Sequence, residues 1–469
     1  MTKLTYGFFI LLTFYCCQSN EMSNENVFIG GDIINPSNSY VTLYDPKGHV
    51  DTLYLNSDNK FLHHFTDFNK GIHSFVHGGK HQSLLLEHSD SIMMHINTND
   101  FDGSLTFNGN GAKKNNYLIK LLSRLENQNS TNNNLYKLEP SDFHETIISE
   151  ISKNSEDLNL FLKNSPNSDL FVKIALSTIK YHYFTKKELY QHRHFGYNSS
   201  INSKKIPSDF YEFRKEIIYN DKDLKDFYPY YNFLFPHINN LSFEQLKADQ
   251  KICDLESNNL EYTNYKLILI DSLVTNPLIK NNLLKYTVRN FISNSKSIDK
   301  SYILYQSYLD KSSNVKDKTY IKNLFKNTQG LQPGHKLPSV EVIDSDNIKS
   351  NLNLIFDNTT VLYFWDNASR YHFENSHIKV NTLNDLFPEI DFIAININSM
   401  HTNAWKNMLY AKQYSTNNEY RFANPSFAKK RLAINYIKKV LIVDKKGFIL
   451  NSTADLFDSN FEDVLEDYK

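Results

Sequence analysis

Val361-Leu362-Tyr363-Phe364-Trp365-Asp366-Asn367-Ala368-Ser369-Arg370-Tyr371-His372 carries the passage from a strand to a helix. Val361 to Trp365 is an unbroken hydrophobic strand. Asp366 and Asn367 are residue types that cap helices, and Phe373, His377, Val380 and Leu383 follow along one helical face. A helix is therefore expected from Asn367 to Leu386, ending before Pro388. Downstream, Phe392-Ile393-Ala394-Ile395-Asn396-Ile397 is nearly continuously apolar, which suits a buried parallel strand. A short helix around Ala404 to Tyr410, a hairpin (Val440 to Val443, Lys445-Lys446-Gly447, Phe448 to Leu450) and a closing helix from Phe461 complete the pattern. With a leading strand near Val340 to Ile343, residues 330–469 read as an α/β layer fold of order βαβαββα plus one extra strand.

Upstream the periodicity changes twice. Gly330 to Pro338 contains Gly and Pro without periodicity and reads as a protease-sensitive linker. Residues 114–329 read as an irregular helical domain, with apolar faces such as Tyr117-Leu118-Leu121-Leu122-Leu125 and breaks near Pro166, Pro207, Pro236 and Pro277. Residues 27–113 read as a small β-sandwich, because short strands alternate with turn signals such as Asp45-Pro46-Lys47-Gly48 and His77-Gly78-Gly79. The whole is a multidomain α+β chain, as its 469 residues require more than one core.

The 51 basic and 52 acidic residues nearly cancel, so no overall field favours nucleic acid or an anionic membrane. Lys3 and the apolar run Tyr6 to Tyr15 precede Cys16-Cys17. The run is shorter than the roughly 20 residues of a spanning helix, so residues 1–17 are expected to be a lipoprotein signal peptide with its lipobox. Cys17 is the expected lipid anchor, since cleavage then follows small Cys16 rather than bulky Tyr15; a plain secretory signal is the alternative. Residues 18–26 are a polar tether, and the protein is expected in the cell envelope. The mature chain would keep only Cys253, read as a buried small hydrophobe, and one thiol cannot close an internal disulfide.

Gly334-His335-Lys336-Leu337-Pro338, Tyr363-Phe364-Trp365 and Leu441-Ile442-Val443-Asp444-Lys445-Lys446-Gly447 together resemble the TlpA/ResA-type thioredoxin-fold proteins of bacterial envelopes, over about Gly334 to Lys469. Asp90 to Thr98 and Lys114-Asn115-Asn116-Tyr117 are similar to the β accessory domain that precedes such folds in many envelope lipoproteins. The resemblance implies a Cys-x-x-Cys pair three residues after Phe-Trp, and Ser369 and His372 stand at those positions. It also implies a cis-proline before the strand matching Val440 to Val443, and Lys438 stands there. Disulfide exchange needs an attacking thiolate and a resolving thiol, so the redox site is degenerate.

Other motifs are weaker. Ser369, His372 and Asp366 supply the residue types of a hydrolytic triad, but first-turn surface residues with Asp366 or Asn367 as cap are the simpler account. His63-His64 and His192-Arg193-His194 lack the partners of a zinc pattern. Gly109 to Lys114 lacks the spacing of a phosphate loop and reads as a turn into a helix. Phe227 to Phe233 reads as an aromatic cluster buried between helices, and Trp405 as packing. No cofactor or metal is expected. The sequence thus points to a non-catalytic envelope lipoprotein that binds or scaffolds an envelope protein or peptide, with a thiol-disulfide oxidoreductase by descent as the alternative.

Overall fold

The structure is a computed structural model that describes residues 26–165, 167–196, 206–249, 259–367, 369–398 and 402–469. The signal segment, Cys16, Cys17 and Cys253 lie outside the described residues. No described helix is long and apolar enough to cross a membrane. The chain is mixed α/β and divides into two compact units, residues up to 77 with 82–117, and residues 78–81 with 118–469.

The first unit contains β1 (Phe28–Ile34), β2 (Tyr40–Tyr44), β3 (Val50–Tyr54), β4 (Lys60–His64), β5 (Gly71–His77), β6 (Lys80–Leu86), β7 (Ser91–Asn97), a short α1 (Phe101–Ser104) and β8 (Thr106–Asn110). They form two four-stranded sheets, β4-β1-β7-β8 and β3-β2-β5-β6. Phe61 of β4 and Phe75 of β5 stack at 6.3 Å between ring centroids, joining the two sheets. β2 and β3 pair antiparallel across the Asp45-Pro46-Lys47-Gly48 turn.

The residues following β8 explain why the Lys114-Asn115-Asn116 run matters. The Asn115 amide pairs with the Leu85 backbone (2.7 and 2.8 Å), and the Asn116 amide pairs with that of Phe107 (3.0 and 2.8 Å). Each side chain does the work of a strand neighbour, satisfying one buried N–H and one C=O. Lys114 reaches Asp90 at 2.7 Å and Glu87 at 2.9 Å. Gly111 has φ +85°, and a Cβ there would lie 2.3 Å from Asp90 Oδ1. The turn into the helix therefore requires glycine for both conformation and room.

The second unit opens on helices. α2 (Ala112–Thr131) leads into it, followed by α3 (Pro140–Lys163), α4 (Asp169–Phe195), α5 (Tyr228–Ala248), α6 (Leu260–Leu273), α7 (Pro277–Asn294), α8 (Ile298–Lys311) and α9 (Val315–Gln329). Pro277 starts a helix, which suits a residue with no N–H to lose. Pro236 does not break one: α5 continues through it, against expectation. Tyr230 and Phe233 on its buried face pack on Tyr181 of α4 at 5.0 and 5.1 Å, and that burial outweighs one missing hydrogen bond.

The α/β part comprises β9 (Glu341–Ile343), β10 (Lys349–Asn351), β11 (Thr359–Trp365), α10 (Arg370–Leu386), β12 (Ile390–Asn396), α11 (Thr402–Ala411), β13 (Glu419–Phe422), α12 (Pro425–Arg431), β14 (Val440–Val443), β15 (Ile449–Asn451) and α13 (Phe461–Glu466). The seven-stranded sheet has the order β10-β9-β13-β12-β11-β14-β15. β11, β12 and β13 run parallel, and β14 returns antiparallel beside β11. A central parallel pair joined through a helix, with an antiparallel hairpin beside it, is a thioredoxin-like arrangement.

A further expectation changes. Gly330 to Pro338 is not a free linker. Gly334 N–H donates to Ile449 C=O and Leu337 N–H to Gly447 C=O, both at 2.8 Å, while Leu331 and Leu337 are buried. No boundary between compact units falls there: the helices and the sheet share one unit. Asn435 joins them, donating to Ser293 Oγ at 2.9 Å and accepting from Tyr320 at 3.1 Å.

Lys439, just before β14, is buried with no carboxylate on its ammonium among the described residues; it donates to the Leu432 and Ala433 carbonyls at 3.3 and 3.2 Å. Burial pushes its pKa down to about 7. Below about pH 7 both folded and unfolded chains hold this proton, and the fold bears the cost of a buried charge. Above it, the folded chain releases the proton while the unfolded chain keeps it up to about 10.5, so this group makes stability rise with pH across that window. Lys439→Met is expected to stabilise the protein at pH 6 by roughly 1–4 kcal/mol and to flatten that rise. Urea denaturation at pH 6 and pH 9 checks this; a less stable variant at pH 6 would give the carbonyl hydrogen bonds the larger role.

Candidate functional site

The carboxyl ends of β11 and β12 and the start of α10 form the expected site, the place where open α/β sheets usually receive ligands. The helix begins later than expected. Its first residue is Arg370 and its N-cap is Ser369, rather than Asp366 or Asn367. Asp366 still serves the turn, accepting from Ser369 N–H at 2.7 Å, and Asn398 Nδ2 donates to its other oxygen at 3.3 Å. Asn367 accepts from Asn396 at 2.7 Å, and Lys429 of α12 donates to Asn398 at 2.7 Å. Together these side chains form a polar rim from three segments.

Ser369 and His372 do not form a catalytic pair. Both ring nitrogens of His372 are buried and lack a hydrogen-bond partner among the described residues, so neither reaches the Ser369 hydroxyl or Asp366. Burial lowers the His372 pKa; the Asp366 carboxylate opposes this and Lys438 reinforces it. The imidazole is therefore neutral near pH 7 and lies edge-on against Phe457 at 5.5 Å. Lys438 is exposed, with its ammonium 6.0 Å from the same ring. Phe457 thus brings together His372 and Lys438, which are far apart in sequence. No cis peptide bond occurs among the described residues.

Sequence reading missed Glu419. It lies on β13, a strand too short and polar to stand out, and its carboxylate is buried. Trp365 Nε1–H donates to it at 3.2 Å, and His377 Nε2 lies 2.8 Å from its other oxygen. His377 Nδ1 sits 2.7 Å from the Phe373 carbonyl and must carry a proton there. One further proton is shared between His377 and Glu419, whose carboxyl burial pushes up. The pair joins the buried face of α10 to β13, with no thiol beside it among the described residues.

The remaining candidates are engaged structurally. His64 faces Asn26 at 3.1 Å and His63 faces Asp51 at 3.9 Å; His194 meets the Tyr136 carbonyl at 2.8 Å. Among the described residues no three His, Cys, Asp or Glu side chains gather as metal ligands. Trp405 is fully buried among the core side chains under the sheet. Of the aromatic run, Phe227, Tyr230 and Phe233 are buried, while Tyr228 stays partly exposed.

No protein-family model matches this sequence, and no curated protein matches it. Several solved structures are similar to part of it. A thioredoxin-like protein from Bacteroides caccae is 12% identical, covering 45% of this chain and 78% of its own, with a TM-score of 0.32. The thioredoxin domain of a thiol-disulfide oxidoreductase from Bacteroides vulgatus is 16% identical, covering 30% of this chain and 99% of its own, with a TM-score of 0.24. A thiol peroxidase from Chromobacterium violaceum is 13% identical over 29% of this chain and 87% of its own, also with a TM-score of 0.24. At these values the description of the fold rests on the strand order and helix placement given above.

Proposed function

We propose that this chain is an exported, lipid-anchored envelope protein whose thioredoxin-like part performs no thiol chemistry and binds an envelope protein or peptide, with a β-sandwich accessory domain at its N-terminal side. One observation carries the reading: serine and a neutral, packed histidine occupy the start of α10, where redox chemistry would need two thiols. A serine hydroxyl is too weakly acidic for the helix terminus to make it a nucleophile near neutral pH. The polar rim of Asp366, Asn398 and Lys429 beside it is suited to hydrogen-bonded docking of a peptide.

Insulin reduction with dithiothreitol is expected to proceed at the uncatalysed rate, with or without Cys253→Ser. Turnover that disappears in Cys253→Ser would instead favour a thiol-disulfide oxidoreductase by descent.

If only the chemistry has been lost, Ser369→Cys with His372→Cys should rebuild a thiol pair. The cysteine at the N-cap is expected to titrate below the roughly 8.5 of a free thiol, and mild oxidation should close a disulfide. Insulin turnover should stay low because Lys438 keeps its place. Two ordinary thiols, followed by spectrophotometric titration, would sink this account of the helix start.

Cys17→Ser is expected to move the protein from the membrane to the soluble fraction on cell fractionation, since acyl chains alone would hold it there. Unchanged membrane association would place the anchor elsewhere.

A further inference from the structure

A second site lies in the helical region, remote in sequence from α10. A cavity of about 350 Å³ opens between α2, α4 and the start of α5. His182, Lys186, Leu189 and Arg193 line it at helical spacing from one face of α4. Opposite them stand Leu122 of α2 and Tyr228 of α5.

The polar groups of this cavity are unbalanced. Lys186 is only 4% exposed, and its ammonium has no hydrogen bond or ion pair among the described residues. It lies over the Tyr183 ring, 5.1 Å from the centroid. His182 Nε2 is buried without a partner. Arg193 lies over the Tyr136 ring at 4.7 Å and likewise has no carboxylate among the described residues. The one acid in the lining, Glu126, accepts the Tyr228 hydroxyl at 2.6 Å. Burial pushes the Lys186 pKa down to about 8, with Glu150 pulling the other way.

A buried cation without a counter-ion is costly, and the same helix face supplies two cations and an unpaired imidazole nitrogen to one cavity. What sets Lys186 apart from buried Lys439 is that it borders a cavity, whereas the Lys439 ammonium is held by two backbone carbonyls. The cavity volume and its mixed leucine and tyrosine walls fall in the range of small-molecule sites. We propose that this cavity binds a small amphipathic carboxylic acid, its carboxylate held by Lys186 and Arg193 and its apolar body lying against Leu122, Leu189 and Tyr228. The site is independent of the thioredoxin-like part.

Calorimetric titration of the full chain with phenylacetate, 3-phenylpropanoate, hexanoate and octanoate, each beside its neutral amide, tests the assignment. At least one acid is expected to bind about tenfold or more tightly than its amide, the difference one charge-assisted hydrogen bond supplies. Lys186→Met should remove that preference. Arg193→Gln, at the exposed mouth, should weaken the acid severalfold while circular dichroism stays unchanged, which keeps the test decisive even if the lysine variant misfolds. Leu122→Trp should exclude both acid and amide. No binding by any acid below about 1 mM (roughly −4 kcal/mol), equal binding of acid and amide, or wild-type affinity in Arg193→Gln would overturn the proposal.

Discussion

The α/β part depends on β11 being buried from both sides at once. Thr360 through Trp365 are all buried, with β12 hydrogen-bonded along one edge and β14 along the other. Side chains alternate across a strand, so Val361, Tyr363 and Trp365 share a core with Phe373, Val380 and Leu383 of α10 and with Phe461 and Leu465 of α13. Each large apolar side chain so buried contributes about 1.5–3 kcal/mol. The chain that leaves Trp365 has little freedom in where it turns, and that sets the position of Asp366, Ser369 and His372.

The two most deeply buried carboxylates of the helical region and the sheet are each matched. Glu188 has no exposed side-chain surface; burial alone would raise its pKa, yet His237 and Arg214 outweigh that and hold it below the usual carboxylate value. Asn240 adds a hydrogen bond at 2.6 Å, and Tyr219 meets His237 at 2.7 Å. Glu419, with His377 and Trp365, is a smaller counterpart in the sheet. Removing one member of such a set strands a buried charge, at a cost of about 3–5 kcal/mol. Lys439, Lys186 and Lys187 are buried without a carboxylate partner among the described residues, and Lys439 and Lys186 differ in access. The Lys439 ammonium is capped by two backbone carbonyls, whereas Lys186 borders a cavity.

The surroundings of His372 show how a histidine is accommodated in the first turn of α10. An imidazole kept neutral by burial packs against Phe457 as an aromatic ring would, and Asp366 supplies the helix start with an acceptor that the Ser369 side chain does not provide.

Periodicity and composition were enough for much of the architecture. β11, α10, β12, the β14–β15 hairpin and α13 are each long enough, or flanked by clear enough breaks, for local sequence to name them, and β2, β3, β5, β6 and β7 of the first unit announce themselves through their turns, whereas β1, β4 and β8 do not. That Ser369 and His372, and no cysteine, stand between Trp365 and Phe373 is a fact of sequence alone. Local sequence could not reveal β10 or β13, each too short to show a pattern before its neighbours pair with it. Nor could it show that Gly334 and Leu337 are held by the β14–β15 hairpin, because those hydrogen bonds join segments more than a hundred residues apart. The same holds for Glu419 beneath Trp365, for Phe457 between His372 and Lys438, and for the cavity that Lys186 borders. Each depends on distances between side chains that sequence separates and only packing brings together, and so was decided by the tertiary structure.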